Sequence, residues 1–149
     1  MIYMSIFTTF RISASGLSAE RMRMDVIADN ISNAETTRTS QGGPYRRKMV
    51  VFSPYRSFEN TLKKELAIQQ GVKVEKIVED KSPFKLVYNP DHPDAIQEGV
   101  QKGYVRLPNV DIVKEMVDMI SATRGYEANI TALNSAKSMA LKALEIGRG

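Results

Sequence analysis

The segment Pro108–Leu144 carries one period for longer than any other part of the chain. Stepping by fours and threes gives Ile112, Met116, Met119, Thr123, Tyr126, Ile130, Leu133, Lys137, Ala140 and Leu144, of which all but Thr123 and Lys137 are apolar. This spacing lays the apolar side chains along one seam of a helix, as in a coiled coil. Val113, Ile120, Ala136 and Leu141 widen the seam. A helix of roughly 36 residues is about 55 Å long. A chain of 149 residues has little else with which to cover so long a stripe. What does cover it is the functional question.

Residues 3–33 predict a second amphipathic helix. Tyr3, Phe10, Leu17, Met24 and Ile31 recur by sevens, and Phe7, Ala14 and Ala28 follow four behind, with Arg21 interrupting. Ile6 and Ile27 flank the same face. Gly16 weakens the middle of this helix by roughly 1 kcal/mol relative to alanine. The helix is expected to end near Asn33, because Thr36 to Pro44 collects Thr, Ser, Gly and Pro in one run.

Between the two helices the composition changes. Tyr45–Phe52 predicts a strand bounded by Pro44 and Pro54, and Val72–Val78 alternates apolar and charged residues as a half-exposed strand does. Phe84–Tyr88 and Gly103–Leu107 predict two more strands, separated by the proline-bearing loop Asn89–Asp94. Phe58, Leu62, Leu66 and Gln69 hint at a short helical turn. Whether the strands form one sheet or two hairpins stays open. Asn109 is the expected N-cap of the long helix, with Asp111 in its first turn. The fold class is therefore α+β: long N- and C-terminal helices pairing as an antiparallel coiled coil, with a small β-rich insert between them. The expected divisions are residues 1–36, 37–107 and 108–149.

Side-chain chemistry offers little to an enzyme. There is no cysteine and only one histidine, which rules out thiol catalysis, disulfides and a histidine metal site. Asp91, His92 and Asp94 cluster, but in a proline-bounded surface loop. No phosphate-binding or dinucleotide-binding glycine pattern is present, and no G-x-S-x-G surrounds a serine. Gly42-Gly43 before Arg46, Arg47 and Lys48 is better explained as a turn leading into a solvated strand than as a phosphate cradle. Arg46, Arg47, Lys48, Arg56, Lys63 and Lys64 interleave with Tyr45, Phe52 and Tyr55, yet alternate strand residues face water anyway, and Glu59 and Glu65 dilute the charge. Net charge is only +4, without the dense basic stripe of a nucleic-acid binder. No cofactor, nucleic acid or small-molecule substrate is expected. No run approaches the roughly 18 apolar residues of a membrane span, and Met1–Arg11 lacks the basic and apolar regions of a secretory signal.

Two features remain. Met22, Met24, Met116, Met119 and Met139 sit on the helices, where they fill a core or fit several different neighbours. Asn30 and Asn33 lie three apart at the end of the first helix; such amides cap a helix end or bond to a neighbouring backbone.

The segment Ser15–Thr36, with Gly16-Leu17, Arg21 and then Asn30, Asn33 and Thr36, resembles the N-terminal signature of bacterial flagellar rod and hook proteins. Asn109-Val-Asp, Glu115-Met-Val and Arg124-x-Tyr-Glu-Ala-Asn129 resemble the C-terminal signature of the same family. Gly43-Pro-Tyr, Val50-Val-Phe, Gly71-Val-Lys-Val, Lys85-Leu-Val-Tyr-Asn-Pro and Gly103–Asp111 narrow the resemblance to its short proximal-rod members. The likeness spans nearly the whole chain. It implies a structural, non-enzymatic subunit of the basal body, placed in the periplasmic rod and exported through the flagellum's own channel without a cleaved signal peptide. It implies as partners copies of the chain, other rod proteins, and the membrane-ring and export-gate components. The implied assembly residues are Phe10, Leu17, Met24, Asn30, Ile31, Asn33, Met116, Met119, Arg124, Tyr126, Asn129, Ile130 and Leu133. The resemblance also implies ends that order only as neighbours bury them. Gly125 and Asp29 depart from the family pattern, and Met4-Ser-Ile-Phe resembles its usual start, which makes Met4 a candidate initiator. A cytosolic coiled-coil adaptor or a weak nucleic-acid-binding module is the alternative that the residues alone leave open.

Overall fold

The computed structural model describes residues 2–55 and 71–147, with side chains from residue 7 onward. The pattern at Phe58, Leu62, Leu66 and Gln69, the basic residues Arg56, Lys63 and Lys64, and the side chain of Tyr3 lie outside the described residues. The element order is α1 (Ile2–Ser32), β1 (Lys48–Pro54), β2 (Val72–Glu79), β3 (Lys85–Tyr88), β4 (Tyr104–Leu107) and α2 (Ile112–Ile146). Two long terminal helices in contact, with small antiparallel sheets between them in sequence, make the fold α+β. The chain forms two compact units, one of Met1–Met24, Val50–Lys76 and Ile120–Gly149, the other of Asp25–Met49 and Ile77–Met119.

In the first unit the helices pair antiparallel. Gly16 of α1 faces Asn129 of α2, and Glu20 faces Gly125, so four residues up one helix is four residues down the other. A Cβ at Gly16 would stand 2.9 Å from the Asn129 Oδ1. The glycine that weakens α1 as an isolated helix is thus the one that admits the partner's amide. Thr123 meets the Met24 sulfur at 3.6 Å. β2 is tied to α1 through one hydroxyl: Ser15 Oγ donates to the Ile12 carbonyl at 2.7 Å and accepts from Val72 N at 3.1 Å. Gly71, at φ +109, sits so close to that hydroxyl that any Cβ would overlap it.

The helices do not bury the stripe that their sequences advertise most strongly. Along α2 the fully buried positions are Glu115, Ala122 and Ala136, with Asn129 half-buried on the same sevenfold spacing. Met119, Tyr126, Leu133 and Ala140 are half-buried as the period requires, but Met116, Thr123, Ile130, Lys137 and Leu144 are exposed. On α1, Phe10, Leu17, Met24 and Ile31 are half-buried, while Phe7, Ala14, Arg21 and Ala28 are exposed. The buried positions there are Ser13, Ala19, Val26, Ile27 and Asn30. On α2 the seam has turned toward small and polar residues. Alanine and glycine permit a close approach of backbones, where methionine or isoleucine would hold the helices apart.

The strands form two separate pairs, β1 with β2 and β3 with β4. Tyr55 N donates to Gly71 O at 2.9 Å in the first unit, and Asp80 N to Arg47 O at 2.8 Å in the second. β3 and β4 are antiparallel, with Leu86 opposite Arg106 and Tyr88 opposite Tyr104. The expected start of β1 at Tyr45 is shifted to Lys48, because Tyr45 N bonds back to Thr36 O at 3.0 Å instead of to a strand. The expected N-cap of α2 is also corrected. Asp111 caps the helix, its Oδ1 accepting from Val113 N at 3.1 Å and Lys114 N at 3.3 Å. Asn109 is engaged elsewhere, as described below.

The Gly16–Asn129 contact makes a signed prediction. Gly16→Ala is expected to destabilise the protein when Asn129 is present. In an Asn129→Ala background it is expected to stabilise by up to about 1 kcal/mol, the helix-propensity gain with the steric cost removed. Thermal unfolding of the four variants checks the sign reversal.

Candidate functional site

The second unit is built on a buried polar cluster. Asn30, near the end of α1, is 1% exposed, and Glu115, in the first turn of α2, is 0% exposed. Asn30 Nδ2 donates to Glu115 Oε2 and to the Lys48 carbonyl, both at 2.9 Å. Its Oδ1 accepts from Lys48 N at 2.8 Å and from the Tyr45 hydroxyl at 3.0 Å. Every hydrogen-bonding site of the amide is filled. Asn30 therefore acts toward Lys48 as a strand would, taking both backbone groups on the outer edge of β1.

Glu115 is held from the other side by Arg47, whose Nε donates to Oε1 at 2.6 Å. The same guanidinium reaches Asp118 Oδ2 at 3.4 Å and lies 4.0 Å from Asp80 Oδ2. Arg47 N donates to Asn109 Oδ1 at 2.9 Å, and Asn109 Nδ2 donates to the carbonyls of Asp80 at 3.1 Å and Ser82 at 3.4 Å. That is why Asn109 does not cap α2. A planar guanidinium with several fixed donors suits a position ringed by carboxylates, and lysine would not. Burial, with help from the charges of Asp29, Glu115 and Glu79, pushes the Tyr45 hydroxyl up to about 12. The Ser82 hydroxyl and backbone N–H, both bonded to Asp80, hold the Asp80 carboxyl below the usual range.

The two motif asparagines divide the roles read from them. Asn33 caps α1, its Nδ2 donating to the Asp29 carbonyl at 2.9 Å while Oδ1 accepts from Thr36 at 3.2 Å. Asn30 bonds to the neighbouring backbone. Asn129 turns back on its own helix, donating to Gly125 O at 2.9 Å. Ile31, Met119, Tyr126 and Leu133 are half-buried, and Met116, Arg124 and Ile130 are exposed. Tyr45, Lys48 and Glu115 were not foreseen as partners of Asn30, nor Arg47 and Asn109 as the groups that hold Glu115 and β1 behind it. For Glu115 a signal was present: positions 115, 122, 129 and 136 are Glu, Ala, Asn and Ala, a sevenfold row without one large apolar residue.

The loop Asp91–Asp94 is a turn. His92 Nδ1 accepts from Asp94 N at 3.1 Å, and Asp94 Oδ2 accepts from Thr37 at 2.8 Å. The basic run near β1 is dispersed: Arg46 lies over Phe84 at 4.2 Å, Arg47 points inward to Glu115, and Lys48 lies 5.4 Å from the Tyr45 ring. Among the described residues no group of acidic or histidine side chains could hold a metal ion, and no helix is long and apolar enough to cross a membrane.

What stands out instead is apolar surface. In the second unit α2 exposes Ile112, Val113, Met116 and Val117, with Val113 71% and Val117 61% exposed. In the first unit Ile120, Ile130, Met139, Leu141 and Leu144 are exposed on the same helix. Paired terminal helices, a polar lock and open apolar helix faces are what the described residues offer.

Comparison with known proteins identifies the class. The family model for flagella basal body rod protein matches residues 10–38, and the model for flagellar basal body rod FlgEFG protein C-terminal matches residues 101–146. This is a structural, non-enzymatic protein of the flagellar basal-body rod. The flagellar basal-body rod protein FlgC of Borreliella burgdorferi is 50% identical, covering 98% of this chain and 100% of its own length. FlgC of Bacillus subtilis is 50% identical, over 97% and 100% respectively, and FlgC of Escherichia coli O6:H1 is 42% identical over the same shares. The chain belongs to the FlgC family.

The lock gives two expected outcomes. Glu115→Ala removes one partner of a buried ion pair and is expected to cost about 3–5 kcal/mol in chemical denaturation. For Tyr45 the hydroxyl is acidic, and its folded-state value lies above the ordinary 10.0. The unfolded chain therefore loses this proton first, and its contribution to stability is full below pH 10 and is lost as pH rises toward 12. Tyr45→Phe is expected to lose about 1 kcal/mol at neutral pH and to show a shallower loss across that alkaline window.

Proposed function

We propose that this chain is a proximal rod subunit that polymerises through its terminal helices into the axial tube and helps to transmit torque. Residues 1–36 and 108–149 supply the helical core of the tube, and the insert 37–107 contacts neighbours farther out. The observation that carries this proposal is the exposed apolar face of α2 at Ile112, Val113, Met116 and Val117. Monomeric proteins rarely leave such patches open. Along α2 the buried positions are glutamate and alanine while larger apolar residues remain outside, which leaves those residues for other subunits.

Among the implied assembly residues, Met116, Arg124 and Ile130 are open to direct contact, and Phe10, Leu17, Met24, Ile31, Met119, Tyr126 and Leu133 are half-open. Asn30, Asn33 and Asn129 act one step back, because their amides hold the helices and their ends in shape. The partners are copies of the chain, other rod proteins, and the membrane-ring and export-gate components. The site is the periplasmic rod, reached through the flagellar export channel without a cleaved signal peptide.

Met116→Asp and Val117→Asp test the proposal. Both side chains are exposed, so thermal stability of the isolated subunit is expected to change by no more than about 0.5 kcal/mol. Motility and recovery of intact rods are expected to be lost. Wild-type swimming in both variants would remove the apolar face from the assembly.

A further inference from the structure

Among the described residues, the β4 edge of the β3–β4 pair is met at Tyr104, and the β3 edge is open. Asn89 N donates to Gly103 O at 2.9 Å, and the register places Tyr88 opposite Tyr104 and Val87 opposite Val105. In an antiparallel ladder hydrogen-bonded and non-bonded pairs alternate. Val87 and Lys85 therefore bond to β4, while the N–H and C=O groups of Leu86 and Tyr88 point away from it. On the far side of β4 the groups of Tyr104 are engaged: Ile96 N donates to Tyr104 O at 2.9 Å, and Tyr104 N to Gln101 O at 3.1 Å. On the far side of β3 no described group meets Leu86 or Tyr88. All four β3 residues are exposed, Tyr88 by 64%.

We propose that this open edge pairs with β3 of a second copy of the chain, antiparallel about Val87, to give a four-stranded sheet. The edge is complementary to itself in that register. Leu86 N–H and C=O meet those of the second Tyr88, and the second Leu86 meets the first Tyr88, so that every outward backbone group is filled. Leu86 lies beside the second Tyr88 on one face, already lined by the Tyr88–Tyr104 edge-to-face contact at 5.2 Å. Val87 meets its own copy on the other face, a cross-strand match of β-branched residues. Lys85 falls opposite Asn89, so no like charges are brought together. Pro83 and Pro90 bound the strand and keep the pairing from spreading along the chain. A contact of four residues per copy is small, so the pair is transient. A two-fold contact closes after two copies, which makes this a pairing of unassembled subunits. It does not depend on the rod proposal above.

The chain has no cysteine, so engineered cysteines report the register cleanly. In the proposed pairing the two Val87 Cα atoms lie about 4.5 Å apart, within disulfide reach, whereas the two Leu86 and the two Tyr88 Cα atoms are on the order of 8 Å apart, beyond it. Under mild oxidation of the full chain, Val87→Cys is expected to form covalent dimer on the order of tenfold faster than Leu86→Cys or Tyr88→Cys. Adding Leu86→Pro to Val87→Cys removes an outward donor without touching a β3–β4 bond, and it is expected to abolish the cross-link while the circular dichroism spectrum is retained. Equal cross-linking at 86, 87 and 88, or no dimer from Val87→Cys, would overturn the proposal. So would an undiminished cross-link in the proline variant, or capture by Val87→Cys of a different rod protein and not of its own kind.

Discussion

The second unit of this protein depends on one amide. Asn30 joins the end of α1 to α2 through Glu115 and to β1 through both backbone groups of Lys48, so three elements meet at a single side chain. A buried amide is costly unless all of its hydrogen-bonding sites are filled, and here they are filled only when the helix, the strand and the second helix stand in one relation. Arg47 extends the condition, because the carboxyl group of Glu115 is buried and is met by the guanidinium at 2.6 Å. Replacing such a cluster with apolar side chains is often neutral or better for stability. What the cluster sets is a condition on position: its hydrogen bonds are all made in this one arrangement of α1, α2 and β1.

That requirement explains why α2 leaves its most apolar stripe uncovered. A helix has only one face to give to its mate. Here that face carries Glu115, Ala122, Asn129 and Ala136, chosen for polar pairing in one unit and for close approach in the other. The consequence falls on Ile112, Val113, Met116 and Val117, which are left exposed. For a protein that worked alone this arrangement would be a solubility problem. On the assembly proposed above, it is surface held for neighbours.

Much of this was legible along the chain. The two long helices followed from a period sustained over many turns, and the four strands from short alternating or β-branched runs cut by proline and glycine. The family likeness rested on motifs at both ends. The phase of the seam was not legible, because Met116 and Ala122 both fit a helical period and hydrophobicity alone prefers the methionine. The cap of α2 was misplaced for a related reason: Asn109 and Asp111 are both good caps, and only the demand of Arg47 N and the carbonyls of Asp80 and Ser82 draws Asn109 away. Glu115 stood inside a recognised motif without any sign of what it would bind, since Arg47 is far from it in sequence.

The sequence by itself determined the described elements, their order and the family, because those depend on local periodicity, on residue types and on motifs read in line. The tertiary structure alone decided which face of each helix is buried, which asparagine caps and which one bridges, and which strand edge is left open. Those choices depend on distances between residues remote in the chain, where a filled hydrogen bond or a missing Cβ outweighs the larger apolar side chain one position away.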